Sequence, residues 1–223
     1  MPMLLTNFIP KANLNLLAVL HGEQKIMLHK PIPPSGTVHT TVTWDSVYDK
    51  GDKGAMVNIT FETSDDKGEL LFENKALLVD RSAGNFGGDR GPRTPPFEPP
   101  EGKDPDFRVE HAIPQDQTAL YRLSGDKNPL HIDPAVAKKA GFKRPILHGL
   151  CSFGYAGRAI LHNACSSDPA RLKSFCVRFM NIAFPGDTLI TQGWKTENKG
   201  NYIIRTTNHE GKIILGNALA EVE

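Results

Sequence analysis

The chain has 223 residues, 39% hydrophobic and 23% charged, the proportions of a globular protein with room for one large domain or two small ones. Lys and Arg number 26 against 25 Asp and Glu, and a net charge of +1 excludes the global basic field that nucleic-acid or anionic-membrane binding requires. Three cysteines exclude a disulfide framework and suit a reducing compartment, and no apolar run approaches the length of a membrane span.

Residues 14–20 are apolar and follow Lys11, but Asn15 interrupts them. His21-Gly22-Glu23 stands where a small-residue cleavage site would be, so the stretch is not read as a secretory signal. From Pro34-Ser35-Gly36-Thr37 a strand-like run reaches Trp44. A turn at Lys53-Gly54, a second run over residues 56–63 and a third within residues 68–74 complete an antiparallel meander. Asn58-Ile59-Thr60 has the form of a glycosylation sequon but falls inside the second run.

Residues 84–106 break the pattern. Eleven of these 23 residues are Gly or Pro and none is aliphatic, so they can form neither a helix nor a central strand. They are expected to connect an N-terminal half, residues 1–83, to a C-terminal half, residues 107–223. Gly84, Gly87, Gly88 and Gly91 lack the strand-to-helix setting of a phosphate-binding loop.

Beyond the connector the strand signals recur in the same order. Pro185-Gly186-Asp187-Thr188 opens a run to Trp194, Lys199-Gly200 turns the chain, and runs follow over residues 202–207 and 211–217. Gly36 and Trp44 are eight residues apart, as are Gly186 and Trp194. A Gly-x-(three apolar)-x-Asn run closes on Asn74 in one half and Asn217 in the other. Matching elements in matching order argue for an internal duplication. The second half has a long stretch before its strands that the first lacks. It includes a predicted helix over residues 150–163, where Leu150, Phe153, Gly154, Gly157 and Leu161 fall at helical spacing and the glycines and neighbouring alanines would admit a close neighbour. The fold class is α+β, with the site expected in the second half.

The densest chemistry lies in Tyr121-Arg122-Leu123-Ser124-Gly125-Asp126-Lys127-Asn128-Pro129-Leu130-His131-Ile132-Asp133-Pro134, a loop by its Gly and Pro content. Asp133-Pro134 has the form of a helix start, with Asp as cap and Pro at the first helical position, and Gly141-Phe142 would end that short helix. Asp126, Asn128 and His131 remain. A carboxylate and an imidazole on one loop can share a water and perform general acid–base work, although a turn-capping Asp and a packed His are the commoner outcome for such a spacing, which alone does not decide it. Gly149 would sit at the mouth of the long helix, where unpaired N–H groups and the helix dipole can hold a developing oxyanion, or it serves the turn alone. Asp126, His131, Asp133, His148 and His162 match no known metal-ligand spacing, so no metal is expected. Cys151, Cys165 and Cys176 lack an activating setting.

The run Tyr-Arg-Leu-Ser-Gly-Asp-x-Asn-Pro-Leu-His-Ile-Asp-Pro, followed by Ala-Gly-Phe-x-x-Pro-Ile-Leu-His-Gly-Leu-Cys, closely resembles the enoyl-CoA hydratase 2 family. This is the MaoC-like, (R)-specific group that includes the hydratase domain of peroxisomal multifunctional enzymes. Leu20-His21-Gly22-Glu23-Gln24, Asp49-Lys50-Gly51, Arg178-Phe179 and Phe184-Pro185-Gly186 are similar to further family segments. The resemblance implies a tandem hot-dog fold, each copy a long helix wrapped by a curved antiparallel sheet. It implies reversible hydration of trans-2-enoyl-CoA to (3R)-3-hydroxyacyl-CoA without metal or redox cofactor.

By the same resemblance, Asp126 and His131 position and deprotonate the water, Asn128 helps hold it, and the Gly149 N–H stabilises the thioester oxygen. His21, Gly22, Lys50, Lys127, Pro129, Leu130 and Phe179 would bind substrate. The family's first copy has a further strand and helix region before Leu20-His21-Gly22, so an incomplete first copy is expected here, or one completed by a second subunit of a homodimer. Family membership implies a peroxisomal setting, but the terminal residues 220–223 are not a peroxisomal signal, which leaves a cytoplasmic location open. Two other readings stay open: a non-catalytic acyl-CoA-binding or interaction module, and a dehydratase of carrier-protein-bound acyl groups.

Overall fold

A computed structural model describes residues 19–223. Of the apolar stretch 14–20, residues 14–18 lie outside that range, and Val19 and Leu20 open a strand. The elements run β1 (Val19–Leu28), β2 (Val38–Asp49), β3 (Ala55–Asp65), β4 (Leu70–Asp80), β5 (Phe107–Ala112), α1 (Gln117–Tyr121), α2 (Pro134–Lys139), α3 (Gly149–Asn163), β6 (Leu172–Phe179), β7 (Thr188–Lys195), β8 (Asn201–Asn208) and β9 (Ile213–Val222). The predicted runs correspond to β2, β3, β4, β7, β8 and β9, and the predicted helix to α3. The alternation rule missed β1 and β5, where polar residues interrupt the apolar face.

All pairings are antiparallel, and the strands form one nine-stranded sheet in the order β2-β3-β4-β1-β6-β9-β8-β7-β5. Outward from the β1–β6 joint, β1-β4-β3-β2 on one side matches β6-β9-β8-β7 on the other, the order the repeated motifs predict. Among the described residues β5 has no counterpart. At the joint Glu23–Met27 pairs with Ser174–Arg178. Glu23 and Arg178 face each other in an ion pair of 2.6 Å, and buried Gln24 donates to Asn74 Oδ1 at 3.0 Å. An exposed pair of that kind contributes at most about 1 kcal/mol, so the joint rests mainly on its backbone ladder and on Phe175 and Val177 beneath it.

The two halves differ in what covers them. α3 lies on the second half and buries Cys151, Ser152, Ala156, Ala159 and Ile160 against the sheet. This corrects the reading of its small residues: the alanines make the close approach, whereas a Cβ at Gly154 or Gly157 would meet open space. The expectation of a long helix in each half is met by α3 in the second; in the first half residues 1–18 lie outside the described residues. Among the described residues the first half has only the single turn Gly51–Lys53, and its core is the smaller set Val57, Ile59, Phe61, Ala76 and Leu78. The paired tryptophans register the asymmetry. Trp194 is 5% exposed and donates its indole N–H to the Lys103 carbonyl, whereas Trp44 is 39% exposed. No helix among the described residues is long and apolar enough to cross a membrane.

Residues 81–106 contain neither helix nor strand, as their Gly and Pro content requires, yet they are pinned along their length. The buried Asp49 carboxylate accepts from the N–H groups of Gly51 (2.8 Å), Asn85 (2.9 Å) and Gly87 (2.7 Å). Asn217, at the end of the repeated motif and in a left-handed conformation (φ 45°), accepts from the Phe97 N–H.

The Gly51 N–H, followed by those of Asn85 and Gly87 and by Arg90, holds the Asp49 carboxyl below its ordinary value against the opposing effect of burial. A carboxyl depressed in the folded state stabilises above its unfolded pKa of about 3.9, and that contribution is lost as the pH falls through the folded value. Asp49→Ala should lower the thermal unfolding midpoint by several degrees at neutral pH. The gap between variant and wild type should close as the scans are repeated toward pH 2; a constant gap would show that Asp49 acts only by filling space.

Candidate active site

The loop between α1 and α2 is a succession of local caps. After the turn Arg122–Ser124, Gly125 takes a left-handed conformation (φ 106°) that a residue with a Cβ adopts at a cost. Arg122 donates to the Lys127 carbonyl at 2.9 Å. Asp126 Oδ1 accepts from the Asn128 N–H at 3.1 Å, and Asn128 Oδ1 accepts from the Leu130 N–H at 3.0 Å, capping the turn Pro129–His131. Asp133 caps α2 through the N–H groups of Ala135 (2.7 Å) and Val136 (3.3 Å), as its sequence position predicts. Each side chain fixes the backbone that carries the next, so Asp126 and His131 meet across one compact loop.

His131 is buried, and its Nδ1 lies 2.9 Å from the Ile146 carbonyl oxygen. A carbonyl only accepts, so Nδ1 carries the hydrogen and Nε2 of the neutral ring keeps its lone pair. Burial lowers the His131 pKa, the Ile146 hydrogen bond and Asp126 oppose this, and Arg122 adds to it. The ring is therefore an unprotonated base at neutral pH. Behind it lies His148, stacked with ring centroids 3.8 Å apart, and Tyr121 packs on His148 at 4.6 Å.

Asp126, Asn128, Leu130 and His131 line a cleft of about 770 Å³ between the two halves of the sheet, within the range of small-molecule sites. Gly149, the first residue of α3, opens onto the same cleft with no intrahelical acceptor for its N–H. A Cβ there would lie 3.2 Å from the Phe179 ring, so glycine gives a ligand its approach to the helix N-terminus. From the first half come His21 and Gly22, where β1 shifts register against β4. A Cβ at Gly22 would stand 2.8 Å from the Leu77 side chain and 3.3 Å from its carbonyl oxygen, so any larger residue would push the Leu77 side chain aside. The irregularity turns the His21 ring into the cleft, 4.8 Å from Phe179. Burial pulls its pKa down to about 4, partly offset by the Glu23 backbone, Gln24 and Asp126.

The expected substrate-binding residues divide. His21, Gly22, Leu130 and Phe179 line the cleft; Lys50, Lys127 and Pro129 do not. The Lys50 ammonium donates to the Arg90 carbonyl and lies over the Tyr48 ring, held against the connecting strap. Lys127 contributes its carbonyl to the Arg122 latch and its side chain is exposed. Sequence reasoning missed Asp52, Lys53, Met56, Leu77, Val79 and Arg81, which supply the first-half wall. It also missed the Ile146 carbonyl, which no side-chain motif announces. A second hollow of about 610 Å³, walled in part by Phe142, Arg144, Phe184 and Lys212, contains none of the expected residues.

Two alternative chemistries can be weighed on geometry. Burial raises the pKa of all three cysteines, Cys151 to about 11, so none is poised as a thiolate. Sequence spacing gave no metal set, yet the fold gathers ligand-type atoms of Asp126, His131 and His148 within 4.8 Å. A tetrahedral cation with bonds of about 2.0–2.1 Å needs lone pairs aimed at one point. Two rings stacked at 27° send theirs along nearly parallel planes.

The comparisons agree with this arrangement. Residues 96–214 match the family described as MaoC like domain, and residues 1–81 match that described as MFE-2 hydratase 2 N-terminal domain. The chain belongs to the MaoC-like hydratase 2 family, with a hot-dog fold built on a single antiparallel sheet. A Dictyostelium discoideum protein named "Probable enoyl-CoA hydratase 2" is 40% identical over 209 residues, 93% of this chain and 71% of the relative. The peroxisomal multifunctional enzyme type 2 of Drosophila melanogaster is 40% identical over 223 residues; the match spans 99% of this chain but 37% of that protein. The crystal structure of a MaoC-like dehydratase from Phytophthora capsici superposes with a TM-score of 0.87 at 36% identity, covering 94% of this chain and 73% of that one.

His148, like His21, is drawn down to about 4, by burial first and then by His131. Both rings should stay neutral from pH 8 to pH 5, and their ring C–H resonances in NMR spectra should not shift over that interval. An unfolded chain takes up these protons near pH 6.5 while the folded one resists to about 4. The thermal midpoint should therefore fall as the pH drops through that window. Replacing His21 by Phe should reduce the fall.

Proposed function

We propose that this chain adds water reversibly across the double bond of a trans-2-enoyl-CoA to give a (3R)-3-hydroxyacyl-CoA, as in fatty-acid β-oxidation. The observation that supports it is one cleft holding an unprotonated His131 Nε2, an Asp126 oxygen not used by the loop, and the Gly149 N–H. A water between Asp126 and His131 gives up a proton as its oxygen bonds to C3. The C2=C3 electron pair moves toward the thioester, whose oxygen gains charge beside the Gly149 N–H at the positive end of a 15-residue helix. A proton then returns to C2 on the same face, because donor and base share one loop. The product carries H at C2 and OH at C3, with no net oxidation, so the step calls for no electron carrier. Asn128 caps the turn through the Leu130 N–H and lines the same cleft, which supports a part for it in holding the loop and the water.

Apolar side chains from both halves, among them Leu20, Met56, Leu77, Leu150 and Met180, offer a wall for the acyl chain. Lys53 and Arg81 put cationic groups beside it for an anionic carrier. We read the chain as two hot-dog copies, residues 1–83 and 107–223, joined by residues 84–106, and as a homodimer. The matching strand orders support the first reading. The 12-residue β2 at the end of the sheet, with Val38 and Val47 half exposed, supports the second. The name of the Drosophila relative supports a peroxisomal setting.

Crotonyl-CoA and a medium-chain enoyl-CoA should both lose their conjugated thioester absorbance when mixed with the protein, and the product should be the (3R) alcohol. Asp126→Asn and His131→Ala should each lower the rate at least about 10²-fold while the protein stays folded. Wild-type protein that binds the CoA ester without turnover would overturn the reading in favour of a binding module, and turnover restricted to carrier-protein-bound enoyl groups would move the substrate class.

A further inference from the structure

Resting on the acid–base reading above, the geometry points to His148 as the positioning residue that holds Asp126 and His131 in register. His148 is 1% exposed, its ring nitrogens have no side-chain hydrogen-bond partner among the described residues, and its polar edge meets the backbone of Asp126 instead. A buried polar edge so sparsely paired is unfavourable, and a phenyl ring would fill the same space without that penalty. An imidazole kept at such a place calls for a function. The ring does not line the cleft, so it does not meet substrate. Instead it lies flat behind His131, at a centroid separation of 3.8 Å, and blocks that ring from rotating away from the cleft. Its own ligand-type nitrogen lies within 4.8 Å of the Asp126 carboxylate and of His131. Tyr121 packs on His148 as well, tilted by 44° at a centroid separation of 4.6 Å.

The backbone makes the same residue the hinge of the oxyanion donor. His148 is the N-cap of α3, and its carbonyl accepts from the N–H groups of Cys151 (3.0 Å) and Ser152 (3.3 Å), which fixes the first turn on which Gly149 sits. One residue thus ties the base, the carboxylate and the N–H donor to a common frame. The charged and titratable groups around it are His131 and Asp126 on the loop, Tyr121 and Arg122 at the end of α1, and Cys151 on α3, which neighbours Tyr121. A second positive charge beside His131 would stop that ring from taking a proton, so the frame works only while His148 is neutral.

The test compares His148→Ala, which removes face and nitrogens, with His148→Phe, which keeps the face, in the full chain acting on crotonyl-CoA. His148→Ala should lower kcat about 10²-fold, the order expected when a reacting group is displaced by an ångström, with KM within about two-fold of wild type. His148→Phe should recover about ten-fold of that loss. NMR titration of His131 gives a readout independent of turnover: its midpoint should rise toward the ordinary imidazole value in the Ala variant and stay near wild type in the Phe variant. A folded Ala variant with unchanged kcat and unchanged His131 titration would overturn the proposal. So would a Phe variant no better than Ala in both measurements. If the Ala variant does not fold, a Phe variant in which His131 titrates as a freely exposed imidazole would sink it as well. Wild-type protein inactive on every enoyl thioester would instead count against the hydratase reading, and the His131 titration would still decide the role of His148.

Discussion

The hydrogen bond from His131 Nδ1 to the Ile146 carbonyl is the constraint on which the site depends. It settles which nitrogen bears the hydrogen and leaves the other lone pair facing the cleft. Without it the ring could present either nitrogen, and an N–H aimed into the cleft would be a donor where the proposed hydration needs a base. The bond is made by an atom fifteen residues downstream, on the segment that leads into α3. The loop carrying Asp126 and the helix carrying Gly149 are therefore locked to each other through His131 itself.

The second organising feature is the β1–β6 joint. It makes one sheet of two halves and carries His21 across to face the loop of Asp126 and His131. The bulge at Gly22 matters because a regular strand would alternate His21 to the other face. The division of labour between halves is lopsided. α3 and its alanines give the second half a dense core, whereas the first half contributes a wall and the strap that Asp49 clamps.

Particular residues show how far the sequence could be read. The strands that alternate cleanly, β3 and β8, and the helix that follows Gly149 were legible because local periodicity reports local structure. Asp133 was legible as a cap because a cap needs only its next three residues. β1 was not legible, because His21, Glu23 and Lys25 are polar for reasons that lie on other strands: a cleft, an ion pair and a sheet joint. Lys50 was assigned to the cleft by resemblance, but its stem runs along Tyr48 to the Arg90 carbonyl, a partner on the strap whose path composition cannot give. The glycines of α3 fell at helical spacing, yet the face turned inward was the alanine face, because the sheet selects the side that lets it approach.

The sequence alone determined six of the nine strands, the long helix, the repeated motifs, the Gly- and Pro-rich strap and the loop that holds Asp126, Asn128 and His131. These follow from backbone preferences and from the order of residues along the chain. Only the tertiary structure decided which nitrogen of His131 is free, that His21 from the other half faces Asp126, and that His148 stacks on His131. Those facts depend on contacts between residues distant in the chain, and their physical cause is burial: water leaves, and each polar edge must find the partner that folding brings to it.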